Sequence, residues 1–146
     1  MYINIKREGY NASIMIIQVV NGVSLLDSNK PIYVQIREVI EDQIVTGLLK
    51  EGDQAPSTNQ LVQFYKVNHI TVSKGINQLV EEGILYKKRG VGMFVSEGAR
   101  EKLLHKRKKR LLNEYLVALV KEAEILGISE DELISYIRKE MGREKN

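Results

Sequence analysis

Apolar residues recur at helical spacing in five stretches of this chain, and two short apolar-basic runs between the third and fourth read as strands. The first stripe is Ile32, Ile36, Val39, Ile40, Ile44 and Leu48, one face of an amphipathic helix of about five turns. It follows the turn-rich Asp27-Ser28-Asn29-Lys30-Pro31, where Pro31 suits a first helical turn. Gly47, Gly52 and Asp53 bring it to a stop. A second, shorter helix opens at Pro56-Ser57, with Ser57 and Gln60 spaced as a capping box and Leu61, Val62, Phe64 and Tyr65 as its apolar content. Lys66-Val67-Asn68 reads as a turn, with Asn68 as the next N-cap. From His69 to Glu82 a third helix places Val72, Ile76, Leu79 and Val80 on one side, and Gly83 suits its C′ position. Ile84–Lys87 and Met93–Ser96 then read as strands joined by Lys88-Arg89-Gly90-Val91-Gly92, a glycine-containing turn with cations at its tip. Helix, turn, helix and basic hairpin make a winged helix-turn-helix, an arrangement that sets its second helix in the major groove of DNA.

After Glu97-Gly98 a long helical pattern carries Leu104, Leu111, Tyr115, Ala118, Leu119 and Leu126 near one face, widened by Leu112, Leu116 and Val120, and ends at Gly127. Ser129-Glu130-Asp131-Glu132 reads as a second capping box, opening a final helix marked by Leu133, Ile134 and Ile137. Two such helices cannot enclose a core alone. The expected fold is therefore mainly α with a small β-hairpin, a winged helix-turn-helix over 28–97 followed by a two-helix dimerisation or effector tail over 98–146. The residues expected at the dimer contact are Leu104, Leu111, Tyr115, Leu119, Leu126, Leu133 and Ile137. Packing back on the same chain's winged helix is the alternative; the dimer is favoured because groove-reading helices usually work on paired half-sites.

Residues 1–27 form an extension of unclear role. Ile14–Val20 and Val23–Leu26 have strand-like composition, and Met15 offers a second possible start. Lys6-Arg7 before an apolar stretch faintly resembles a signal peptide, but Asn11, Gln18 and Asn21 interrupt it and no cleavage site follows. No apolar run approaches the ~20 residues that span a bilayer.

Composition narrows the chemistry. The 146 residues include no cysteine, which excludes disulfides, thiolate metal sites and a cysteine nucleophile and fits a cytoplasmic location. Only His69 and His105 are present, in separate elements, and no nucleophile motif, phosphate-cradling loop or metal-ligand spacing occurs. No catalysis, metal or cofactor is expected. The net charge of +3 is unevenly spread: residues 100–113 carry seven basic side chains against one acid, whereas 114–146 carry five against eight. Cations thus collect at the hairpin and just after it, as a footprint for phosphate would, although a solvated helix face is the commoner fate of such a run.

The order and spacing of several short motifs resemble the GntR-type bacterial transcription regulators. They are Pro31-Ile32-Tyr33-x-Gln35-Ile36, Gly47-x-x-x-x-Gly52-Asp53, Pro56-Ser57, Thr71-Val72-Ser73-Lys74, Leu79-x-x-Glu82-Gly83-Ile84 and Arg89-Gly90-x-Gly92-x-Phe94-Val95. The short tail is similar to the YtrA subfamily and lacks the length of the family's larger effector-binding domains. The resemblance implies a homodimeric repressor acting on a double-stranded DNA operator, often of transporter genes, with DNA contacts at Asn59, Asn68, His69, Thr71, Ser73, Arg89 and Gly90. Asn59 stands where arginine is usual, Ala55 where leucine is typical, and Gly75 replaces a small residue at a cost of about 1 kcal/mol in helix propensity.

Residue by residue, His69 lies where side chains meet base edges, or is simply an exposed helix start. Thr71 is expected on phosphate, and Ser73 on phosphate or a base. Lys74 either reaches phosphate or lies along the core by its stem. Ser57 joins the candidate set at the start of the shorter helix, and Asn68 is more a cap than a reader. Lys88 and Arg89 suit phosphate or a narrow minor groove, with Gly90 allowing close approach. Tyr33, Tyr65, Tyr86 and Phe94 are expected in the core rather than as a stacking platform. Two other classes remain open: a winged-helix module that binds protein, and a membrane-surface role for Arg100–Arg110, which its few leucines disfavour. No effector can be named from the tail.

Overall fold

A computed structural model describes residues 29–143, so the strand-like stretches of 1–27 lie outside the described residues. Contacts divide the chain into two units, one up to Leu104 and one from His105. In the first, α1 (Ile32–Val45), α2 (Thr58–Tyr65) and α3 (His69–Glu81) precede an antiparallel hairpin of β1 (Leu85–Lys88) and β2 (Gly92–Val95). Helix α4 (Ala99–Arg110) follows.

The core of the first unit forms where the helical stripes meet. Ile36, Ile40 and Ile44 of α1, Leu61 of α2 and Val72, Ile76 and Leu79 of α3 are all buried, joined by Leu85 and Val95 of the hairpin. Val62, Phe64, Tyr65 and Val80 pack against this cluster only in part. Burying a side chain of this size removes roughly 1.5–3 kcal/mol of unfavourable hydration, which makes the shared core the main stabilising feature.

The caps behave as the spacing predicts. Ser57 Oγ accepts from the Gln60 N–H at 3.1 Å and the Ser57 N–H donates to Gln60 Oε1 at 2.9 Å, closing the box at the start of α2. Lys66 turns the chain with a left-handed φ of 56°, and Asn68 Oδ1 accepts from the Ile70 N–H at 2.7 Å to open α3.

Several expectations are corrected. Helix α1 stops at Val45 rather than running through Leu48, because the chain turns at Gly47 and the Leu49 N–H reaches back to the Gln43 carbonyl at 2.9 Å. Leu48 is consequently exposed and Leu49 takes the buried place. The strands sit one residue along, with Leu85 opposite Val95 and Lys88 opposite Gly92. Ile84 is held instead by its N–H to the Leu79 carbonyl and by accepting from the Ser96 N–H, both at 2.9 Å.

The segment 52–55 also pairs along the free edge of β2, unforeseen from the sequence. The Gly52 N–H donates to the Val95 carbonyl at 2.8 Å, the Val95 N–H to Asp53 at 2.9 Å and the Ala55 N–H to Met93 at 2.9 Å. An otherwise exposed strand edge is thereby covered.

Gly75 is not simply a weak helix residue. A Cβ there would lie 2.6 Å from the Tyr33 carbonyl oxygen, so the missing side chain lets α3 cross α1 at close range. The crossing is tied at the far end of α3 by Arg37, which donates to Gln78 Oε1 at 2.9 Å and pairs with Glu41 at 3.2 Å and Glu82 at 3.8 Å.

Helix α4 begins inside the first unit's core, where Ala99 and Leu103 are fully buried. Packing against the same chain's winged helix therefore holds for these two residues.

The second unit consists of the end of α4, a π-helical turn at Leu111–Tyr115, α5 (Leu116–Ile125) and α6 (Glu130–Arg143). The wide turn means that the expected single stripe through Leu104, Leu111 and Leu119 does not run at constant helical register. The second capping box is half formed. Ser129 Oγ accepts from the Glu132 N–H at 3.2 Å, but the Glu132 carboxylate accepts instead from the Tyr136 hydroxyl at 2.8 Å. That bond, together with the nearby charge, raises the Tyr136 pKa.

Candidate nucleic-acid interface

Helix α3 has two faces of opposite character, set by about 100° of rotation per residue. Val72, Gly75, Ile76 and Leu79 face the core. His69, Ile70, Ser73, Lys74 and Asn77 line a shallow depression on the other side. The outward first turn is ordered from within: Asn68 caps it, and Ser73 Oγ lies 3.4 Å from His69 Nδ1, which shares a hydrogen bond with it. Thr71 and Ser73 are half-buried, and Asn68 and His69 exposed. Asn68 keeps its amide hydrogens for other acceptors while its oxygen caps the helix.

Lys74 leans on an aromatic ring of α1. Its ammonium rests 4.0 Å above the Tyr33 ring while the residue stays exposed, so the charge is positioned without losing access to solvent. Ser57 spends its lone pairs on the cap of α2 but retains its own O–H to donate. Asn59, two residues on, is exposed.

The hairpin tip is Arg89, Gly90 and Val91, closed by the Val91 N–H donating to the Lys88 carbonyl at 3.0 Å. Gly90 has a φ of 77°, a conformation that side chains resist. Tyr86 and Phe94 stack at 5.8 Å between centroids, and the Lys88 ammonium lies 4.5 Å above Phe94. These two rings thus brace the hairpin rather than sit wholly in the core. Tyr65 does pack into the core region, edge-on to Phe64 at 4.9 Å, and burial pushes its phenol up to about 12.

Two residues of this surface were missed. Gln54 reaches the tip, its Nε2 donating to the Val91 carbonyl at 3.1 Å. No side-chain pattern signals that reach, because the pairing of 52–55 is made by backbone. Ile70 is 77% exposed; the signal for it was present, an apolar residue off the core stripe of α3.

The basic run after the hairpin is not uniformly available to phosphate. Arg100 Nε donates to the Val45 carbonyl at 3.1 Å and so finishes α1. Arg110 pairs with Glu114 at 3.3 Å and faces the Tyr115 ring at 5.3 Å. The expected dimer residues Leu104, Leu111, Tyr115, Leu119, Leu126 and Ile137 are exposed in the single chain, and Leu133 is half-buried. Among the described residues, no group of histidine and carboxylate side chains could hold a metal ion, and no helix is long and apolar enough to cross a membrane.

Comparison with known proteins bears on this geometry. Residues 32–95 match the model of the bacterial regulatory proteins of the gntR family. The chain is 33% identical over 112 residues to the HTH-type transcriptional repressor YtrA of Bacillus subtilis, covering 77% of this chain and 85% of that protein. Among solved structures, a GntR family transcriptional regulator from Listeria monocytogenes superposes with a TM-score of 0.66 at 32% identity, over 77% of this chain and 97% of that one. A putative GntR-family regulator from Bacteroides thetaiotaomicron gives 0.61 at 34% identity, over 79% and 99%.

Proposed function

Because the chain belongs to the GntR family of DNA-binding transcription regulators, we propose that it is a homodimeric, sequence-specific repressor, probing the major groove with the first turn of α3 and the flanking backbone with its hairpin tip. The observation that carries this reading is the ordered set of polar side chains Asn68, His69, Ser73 and Lys74 at the start of α3, on the side away from Val72 and the core that fixes the helix. Asn68, His69 and Ser73 supply donors and acceptors for base edges; Ser57, Asn59, Thr71 and Lys74 supply donors for phosphate oxygens. Lys88, Arg89 and Gly90 form the second contact, where the guanidinium suits a bidentate phosphate and Gly90 admits the backbone closely. The similarity to a repressor supports repression as the outcome, and the YtrA-like tail supports transporter-type genes as targets in the cytoplasm. Exposed apolar residues along α5 and α6 support self-association through the tail, which would set the distance between two reading helices.

Fluorescence anisotropy on a duplex selected from a random-sequence pool tests this. Affinity for the selected duplex should exceed that for a scrambled one by about a thousandfold. It should fall steeply as salt rises, with the log–log slope reduced by about one per protomer in Arg89→Gln. Equal affinity for both duplexes would remove sequence-specific binding. Unchanged binding in Arg89→Glu, with the dimer intact, would favour a protein-binding winged helix instead.

A further inference from the structure

Among the described residues of the first unit, the two most exposed large apolar side chains are Ile70, 77% exposed, and Val91, 61% exposed. Both lie on the elements assigned to DNA, one in the first turn of α3 and one at the hairpin tip. Ile70 is the more informative, because its backbone is held in place. Its N–H is held by Asn68 Oδ1 at 2.7 Å, and a β-branched residue in a helix has one strongly preferred rotamer. On either side stand polar groups: His69 precedes it, and Ser73, hydrogen-bonded to His69, lies one turn on. A stiff hydrocarbon has thus been placed among donors and acceptors, where it leaves an apolar spot.

Resting on the DNA-reading role proposed above, we infer that Ile70 is a specificity residue that recognises the 5-methyl group of a thymine in each operator half-site. In the major groove the thymine methyl is the one apolar feature a base edge presents in a pattern of donors and acceptors. Ile70 offers it contact and removes both surfaces from water. Against a G·C pair the same side chain would cover polar atoms without replacing their hydrogen bonds, so it disfavours the wrong base as well as favouring the right one. The inference thus assigns an A·T pair, with its thymine toward α3, to a defined position of the operator.

The full chain and its Ile70→Ala variant are titrated against the selected duplex, with each thymine replaced in turn by deoxyuridine, which lacks only the methyl. Wild-type affinity should fall about fourfold per methyl removed at one position of each half-site, the value for transferring one such carbon from water. Ile70→Ala should bind the two duplexes equally at that position and keep any sensitivity elsewhere. Since Ile70 is exposed, matched circular dichroism and thermal unfolding establish that the variant folds. If wild-type binding is sequence-specific but no deoxyuridine weakens it, or if Ile70→Ala loses no sensitivity, Ile70 reads no methyl and the DNA-binding role survives. If the wild type binds scrambled duplex as well as the selected one, that role fails and the inference falls with it.

Discussion

The two units spend their apolar residues in opposite ways. In the first, side chains from three helices, the hairpin and the start of α4 close over one another until Ile36, Ile40, Leu61, Val72 and Leu79 have no exposed surface. In the second, among the described residues, Ala123 is the one buried side chain, while Leu111, Tyr115, Leu119, Leu126 and Met141 all remain exposed. Their caps differ in the same sense: a complete box opens α2, and a half box opens α6. The first unit has enough internal contact to specify its fold. The second leaves most of its large apolar side chains exposed in the single chain, which is what the proposed self-association would use. On the proposed function, the first unit would carry the reading surface and the second the self-association, and substitutions in each should act separately.

The largest expected effect comes from the tail. Leu119→Glu places a charge on the proposed dimer contact without an opposite partner, which costs roughly 3–5 kcal/mol when buried. Sedimentation should show the dimer weakened by about two to nearly four powers of ten, the equivalent of that energy. Thermal unfolding of the first unit should stay unchanged. An intact dimer would move the self-association surface elsewhere; a loss of the first unit's stability would mean that the two units are not energetically separable.

A smaller effect is expected at the crossing of α1 and α3. Gly75→Ala gains about 1 kcal/mol of helix propensity, but the new Cβ meets a backbone carbonyl at 2.6 Å, which cannot swing aside as a side-chain tip would. Overpacking of this kind costs typically about 1–3 kcal/mol. A net loss is therefore expected, read as a fall of roughly 5 °C in the melting temperature of the first unit. An equal or higher melting temperature would show that α1 yields and that close approach does not explain the glycine.

Much of the first unit was legible because its stabilising features are written in side chains. The spacing of Ile36, Ile40 and Ile44, the Ser57–Gln60 pair and the Asn68 cap each predict a local structure that forms. What escaped depends on backbone or on distance. The pairing of Gly52, Asp53 and Ala55 with β2 leaves no alternation of apolar and polar residues. The π-helical turn changes a hydrogen-bond register that the leucine pattern does not record. Leu48 and Leu49 were equally apolar, and the left-handed turn at Gly47 decided which was buried. At the candidate site, the caps, cations and hydroxyls were readable from motif and charge. The tether from Gln54 to Val91 spans 37 residues and was not. Ile70 lies off the core stripe of α3 and belongs to no polar motif, so neither periodicity nor charge marks it.

The central claim is that the first turn of α3 and the hairpin tip meet one duplex together. Amide NMR of the full chain titrated with its selected operator tests this most directly. The largest shift changes should fall together in residues 68–74 and 88–92, with α1 little affected. Changes confined to one of these two segments, or centred on the tail, would contradict it.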